Sequence, residues 1–196
     1  MNSTQSYRMS LLSGAPSREK ETALVVLHIE DSADDRELFQ MAAGHAKLPI
    51  FWHAATSSKG AIAYLQGLLS GGAGNGSSVI WPDLVLLDIV MPIESGARVL
   101  EFVHSHASLR RLPVVVLTGC EDEEITEQAW RLGAQAVFQK PHNFEALVAL
   151  VQSVYHTYAT KKAATDQNGP LPCGLQEYST RAQASIQPPP STRSSW

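Results

Sequence analysis

The chain has 196 residues, 44% of them hydrophobic and 17% charged, and a formal net charge of -4. That composition suits one globular domain with tails, and it provides no basic field for nucleic acid or an anionic membrane surface. The two cysteines, Cys120 and Cys173, stand far apart in no ligand spacing, so a reducing compartment is expected, without a disulfide framework or zinc site.

Residues 1–21 are polar, have no long apolar core of a secretory signal, and read as a flexible leader. No apolar run approaches the roughly 20 residues of a membrane helix, so a cytoplasmic protein is expected. The first strand is the apolar run Ala23–Ile29, which ends on Glu30-Asp31. Ser32 and Asp35 have the spacing of a capping box, before a helix with the stripe Leu38, Met41, Ala42. A second strand, Ile50–Ala54, precedes a helix carrying Ile62, Leu65 and Leu69. The stretch "SGGAGNGSS", Ser70–Ser78, reads as a surface loop, because it lacks the lysine and strand-to-helix setting of a phosphate-cradling loop.

The third strand, Leu84–Leu87, is continuously apolar and delivers Asp88. A helix with Ala97, Leu100 and Val103 follows, and then the strand Val114–Leu117, which delivers Thr118. Ile125, Ala129 and Leu132 repeat at helical spacing, with Gly133 as the expected stop. The fifth strand, Ala136–Gln139, runs into Lys140-Pro141, and Asn143 caps a last helix striped by Leu147, Val151, Val154 and Tyr158. Residues 161–196 are rich in Pro, Ser, Thr and Gln and are expected to be disordered. The basic residues there are scattered and offset by acids, which fits a solvated tail better than a nucleic-acid contact. The expected organisation is a leader over 1–21, one domain over 22–160 and a tail over 161–196.

Strands alternating with helices give an α/β fold, (βα)5, with a doubly wound parallel five-stranded sheet. Three of the strands are continuously apolar, as strands covered on both faces should be. Ligands of such sheets bind beyond the carboxyl ends of the strands, at the topological switch point. In the order 2-1-3-4-5 that point falls between the strands bearing Asp31 and Asp88. Glu30, Asp31, Asp88, Thr118 and Lys140 all stand at strand ends on that edge. Each alone is ordinary: a turn acid, a strand hydroxyl, a surface lysine. Together they form a set whose parts complement one another. Three close carboxylates favour capture of a cation, and all-oxygen ligands suit Mg²⁺. A carboxylate can act as a nucleophile on phosphorus, while an ammonium and a hydroxyl neutralise the phosphoryl oxygens. Asp88 is the expected nucleophile, Glu30 and Asp31 the metal holders, and Lys140 and Thr118 the phosphoryl contacts.

The motifs "LHIEDSADD", "PDLVLLDIVMPIESG", "PVVVLTG" and "GAQAVFQKP", in this order, resemble the response-regulator receiver domain of two-component signalling. The resemblance covers residues 23–158 and implies a flavodoxin-like, CheY-like fold. It further implies that Asp88 accepts a phosphoryl group from a sensor histidine kinase or phosphotransfer protein. Asp31 would bind Mg²⁺ directly, Glu30 through water, and the Val90 carbonyl would complete the protein ligands beside Asp88. A cis Lys140-Pro141 bond is also implied, and Gly96 fits the pattern. Val137 stands where the family carries its switching aromatic, and Phe138 beside it should face the other way. Val90 offers an attacking water no side-chain help, so a long-lived phosphoryl group is expected. "ASLRRLPVVVLTG" and the long last helix resemble regulators paired with phytochrome-type kinases, with a homodimer through the fourth helix, fifth strand and fifth helix as one use of Tyr155 and Tyr158. The core edge is the other use. Signalling would pass through protein contacts, without a DNA-binding output domain. The alternative is a haloacid-dehalogenase-type aspartyl-phosphate phosphohydrolase. That class needs a second acid where this chain has Val90, and an acidic pair after the nucleophile rather than before it.

Overall fold

The computed structural model describes residues 23–71, 80–91, 95–119 and 122–166. Strands β1 (Leu24–Ile29), β2 (Ile50–Ala55), β3 (Leu84–Asp88), β4 (Val114–Thr118) and β5 (Ala136–Gln139) alternate with helices. The helices are α1 (Ala33–His45), α2 (Ser58–Leu69), α3 (Ala97–Ser105), α4 (Glu123–Arg131) and α5 (Phe144–Asp166). All strand pairs are parallel, as the alternation predicts, and the order β2-β1-β3-β4-β5 is the one the receiver resemblance implies. The register pairs Ile29 with Leu87 and Asp88 with Leu117, so the strand ends step together along one edge.

Period-2 side-chain alternation divides the core into two layers. Val85 and Leu87 of β3 pack with α2, α3 and α4, whereas Leu84 and Leu86 pack with α1 and α5. The same alternation, continued past the apolar residues, directs Glu30 and Asp88 toward the α1–α5 side. Lys140 continues the Ala136 and Phe138 positions of β5, which pack in that layer as well. Val137 packs in the opposite layer, so Phe138 faces away from the switch position, as expected.

Local signals behave as the sequence implies at most helix ends. The Ser32 hydroxyl accepts from the Asp35 N–H, and the Asn143 carboxamide oxygen accepts from the Ala146 N–H. Gly133 adopts φ +90° just past α4, where the Ala134 N–H returns to the Ala129 carbonyl.

Three expectations are corrected. On α1 the buried stripe is Phe39, Ala42 and Ala43, while Leu38 and Met41 are exposed. Two overlapping apolar stripes are written on this helix, and the one holding the aromatic turns inward. Helix α5 runs past the expected boundary at 160 to Asp166, because Tyr158 and Ala159 are buried and Lys162 is paired with Asp83. Of the two uses expected for Tyr155 and Tyr158, the core is the one observed: both are buried in the α1–α5 layer. No peptide bond among the described residues is cis, Lys140-Pro141 included. The trans form is the lower in energy, and Lys140 reaches the site through its strand-end backbone bond to Thr118. The leader, Pro92, Cys120, most of the Ser70–Ser78 loop and residues 167–196 lie outside the described residues. Among the described residues, no helix is long and apolar enough to cross a membrane.

Candidate functional site

The parallel register and the side-chain alternation bring Glu30, Asp88 and Lys140 into direct contact. The Lys140 Nζ donates to Glu30 Oε2 at 2.6 Å and to Asp88 Oδ2 at 2.7 Å. A third carboxylate completes the ammonium's donors: Asp35 Oδ2, on the first turn of α1, accepts at 2.8 Å. Lysine has three N–H bonds and all three are used. Glu30 is 1% exposed and Asp88 5% exposed, so this shared cation is what makes their burial tolerable.

Backbone groups fix the remaining atoms. Asp88 Oδ1 accepts from the Val90 N–H at 2.9 Å, and Glu30 Oε1 accepts from the Ser32 N–H at 3.1 Å. Arg36 donates from Nη1 to the carbonyls of Glu30 and Asp31 at 2.7 and 2.9 Å, pinning the turn after β1. Thr118 is buried at the end of β4, and its carbonyl accepts from the Lys140 N–H at 2.8 Å. Gly96, ahead of α3, lies close against the end of β3, its N–H donating to the Ile89 carbonyl at 3.1 Å. A Cβ there would stand 2.6 Å from the Asp88 carbonyl oxygen and 2.8 Å from the Ile89 Cα.

Burial raises the Glu30 carboxyl above its usual value, and the nearby Asp88 charge adds to this, while Lys140 opposes it. For Lys140 burial acts to lower the value, but hydrogen bonds to Asp35, Asp88 and Glu30 outweigh it and hold the ammonium above its ordinary range. The site therefore keeps a fixed positive charge among its acids.

Glu30, Asp31 and Asp88 each offer one oxygen within a group no more than 4.8 Å across. Two of these acids are buried, and Asp31 is exposed at the mouth. Hard oxygen donors at this spacing fit a small divalent cation of the Mg²⁺ kind. Val90 is 47% exposed beside them. All five strand-end residues expected from the sequence thus stand on one edge.

Two participants were not foreseen. Asp35 contacts Lys140 from a helix rather than a strand end. His28, one turn of the pleat before Glu30, is 1% exposed between Phe39 and Trp52, at ring distances of 5.0 and 5.5 Å. Its Nε2 is buried without a hydrogen-bond partner. Burial, helped by the Lys140 and Arg36 charges, pulls the imidazole down to about 3, so it is neutral.

The response regulator receiver domain, as a family, matches residues 26–152. The chain belongs to that family. As a receiver it is similar to the response regulator Rcp1 of Synechocystis sp., with 28% identity over 138 residues, 70% of this chain and 90% of the relative. The crystal structure of the phosphorylated cyanobacterial phytochrome response regulator RcpA is similar at a TM-score of 0.62 and 26% identity. The match covers 71% of this chain and 96% of RcpA. The Mn²⁺-bound form of Rcp1 is similar at a TM-score of 0.60 and 26% identity, covering 76% of this chain and 99% of the other. The family match leaves the phosphohydrolase alternative without support.

Proposed function

We propose that Asp88 accepts a phosphoryl group from a phosphohistidine of a sensor histidine kinase or phosphotransfer protein. An Asp88 carboxylate oxygen forms the new bond to phosphorus as the phosphorus–nitrogen bond breaks, and the histidine nitrogen keeps the electron pair. The observation that carries this reading is Lys140 bridging Glu30 and Asp88 beside Asp31, within one three-acid group. Glu30, Asp31, Asp88 and the Val90 carbonyl would hold Mg²⁺, which would neutralise charge on the phosphoryl oxygens. The Val90 N–H orients Asp88, Lys140 supplies a cation already in place, and Thr118 supplies a hydroxyl at the same edge. The phosphorylated form of RcpA and the Mn²⁺-bound form of Rcp1 support the same chemistry here by similarity.

The kinase is proposed to be of the phytochrome type, since Rcp1 and RcpA are among this chain's relatives. Output then passes through protein contacts, with a homodimer across α4, β5 and α5 in which Trp130, half-exposed on α4, would take part. Sedimentation with and without a phosphoryl mimic tests the dimer; a monomer in both conditions removes it. The site itself is tested by incubating the protein with acetyl phosphate and Mg²⁺ and measuring intact mass. The wild type should gain one phosphoryl group and Asp88→Asn none. With Val90 offering no polar side chain to a water, loss of the group should be slow, and a lifetime of seconds would contradict that part.

A further inference from the structure

We propose that Asp35 is a positioning residue for Lys140: it keeps hold of the ammonium when a divalent cation and a phosphoryl group claim Glu30 and Asp88. The inference rests on the phosphoacceptor reading above and adds a residue that the strand-end set does not contain.

Three observations carry it. The Lys140 ammonium is saturated, its three donors going to Glu30, Asp88 and Asp35 at 2.6, 2.7 and 2.8 Å. Two of these acceptors belong to the three-acid group suited to a metal, and Asp35 does not. A cation seated among Glu30, Asp31 and Asp88 would share two of its three acids with Lys140, and its charge would repel the ammonium. Asp35 is the contact that Lys140 can retain.

The second observation is local. In a full capping box the residue at position 35 would return its side chain to the Ser32 N–H. Here Glu30 Oε1 takes that N–H instead, and the Asp35 carboxylate is free to reach across to β5. Its backbone still takes the cap from the Ser32 hydroxyl at 3.2 Å, so the first turn of α1 holds its position.

The third is exposure. The Asp35 side chain is 37% exposed against 1% for Glu30, so it lies toward the mouth of the site. Leaning on Asp35, the ammonium is drawn outward from the buried acids while staying in their reach. That placement leaves it able to meet a phosphoryl oxygen carried by Asp88.

The test is a Mn²⁺ titration of the full chain, read from the paramagnetic resonance signal of the free ion. The proteins are the wild type, Asp35→Asn, Asp35→Glu, Lys140→Met and the Asp35→Asn/Lys140→Met double variant. Asp35→Asn should weaken binding by about threefold to tenfold, the scale of one partly exposed charge-assisted contact. Asp35→Glu should restore most of the loss. In the Lys140→Met background the Asp35→Asn change should cost less than about twofold, because the effect acts through the ammonium. Unchanged binding by Asp35→Asn would overturn the proposal. So would an equal loss with and without Lys140, which would mean a through-space charge effect alone. A wild type that binds no Mn²⁺ would overturn it as well. The titration needs no phosphoryl transfer, so a protein that binds Mn²⁺ yet gains no mass from acetyl phosphate fails the phosphoacceptor reading separately.

Discussion

Glu30 and Asp88 can both be buried at one corner of the sheet because a single ammonium serves them. Removing it leaves two acids without their counter-charge, and the cost of an orphaned buried charge exceeds the worth of the pair itself. Lys140→Met should therefore lower stability by about 1–3 kcal/mol in metal-free urea unfolding, discounted for the partial exposure of the lysine. Mg²⁺ should recover more of that loss in Lys140→Met than it adds to the wild type; equal gains would contradict the shared-cation account. Gly96→Ala tests close approach instead of charge. Its methyl would meet the Asp88 carbonyl oxygen, so stability should fall by about 1–3 kcal/mol and phosphoryl uptake should fall with it.

His28 gives a pH dependence. Its folded value, about 3, lies below the ordinary 6.5, so the unfolded chain binds a proton that the native state refuses. The contribution of the neutral ring is complete above 6.5 and is lost as pH falls from 6.5 toward 3, with a slope of up to about 1.4 kcal/mol per pH unit. Urea midpoints of His28→Phe should lose that slope, and an unchanged slope would remove the assignment. At this scale Glu30, Asp31, Asp88, Thr118 and Lys140 were legible because a parallel sheet brings strand ends together. Asp35 and His28 were not. Whether a helix residue reaches a strand end depends on where the helix crosses the sheet, which depends on packing. A histidine inside an apolar run shows no outward sign of being unpartnered.

Among the elements, α5 departs furthest from its sequence pattern. Its 23 residues span about 34 Å, and its last turns are tied to the opposite end of the sheet from the site. Lys162 Nζ meets Asp83 Oδ2 at 2.6 Å, and the same oxygen accepts from the Val25 N–H at 2.8 Å. Asp83 thus serves two partners. Asp83→Ala should cost about 2 kcal/mol, since it strands a backbone donor of β1, whereas Lys162→Met should cost about 1 kcal/mol or less. Amide exchange over residues 160–166 should quicken in both variants, and unchanged exchange would show that the pair does not hold the helix end. Composition hid this turn: Lys161 and Lys162 begin a polar stretch, and the long-range pairing with Asp83 cannot be seen from spacing. The α1 stripe was misread for a similar reason, because Leu38–Met41 and Phe39–Ala42 are both valid helical spacings and only the sheet chooses between them.

Over the whole molecule, strand polarity was legible from the alternation of strands with helices, which leaves few topologies, while the strand order came from the resemblance of the four motifs. The two-layer core follows from the period-2 side-chain alternation of β1, β3, β4 and β5, and that same alternation aims Glu30, Asp88 and Lys140 at the α1–α5 side. The site is thus a consequence of the core pattern carried a step past its apolar residues. The proposed function requires that Asp88, and no other carboxylate of the edge, carry the phosphoryl group. The direct measurement is to phosphorylate the protein with acetyl phosphate and Mg²⁺, reduce the acyl phosphate with borohydride, and map the product by peptide mass spectrometry. The account predicts conversion of residue 88 to homoserine, with Glu30, Asp31 and Asp35 unreduced. Reduction at one of those three instead, or at none of the four in a protein that has gained phosphoryl mass, would contradict it.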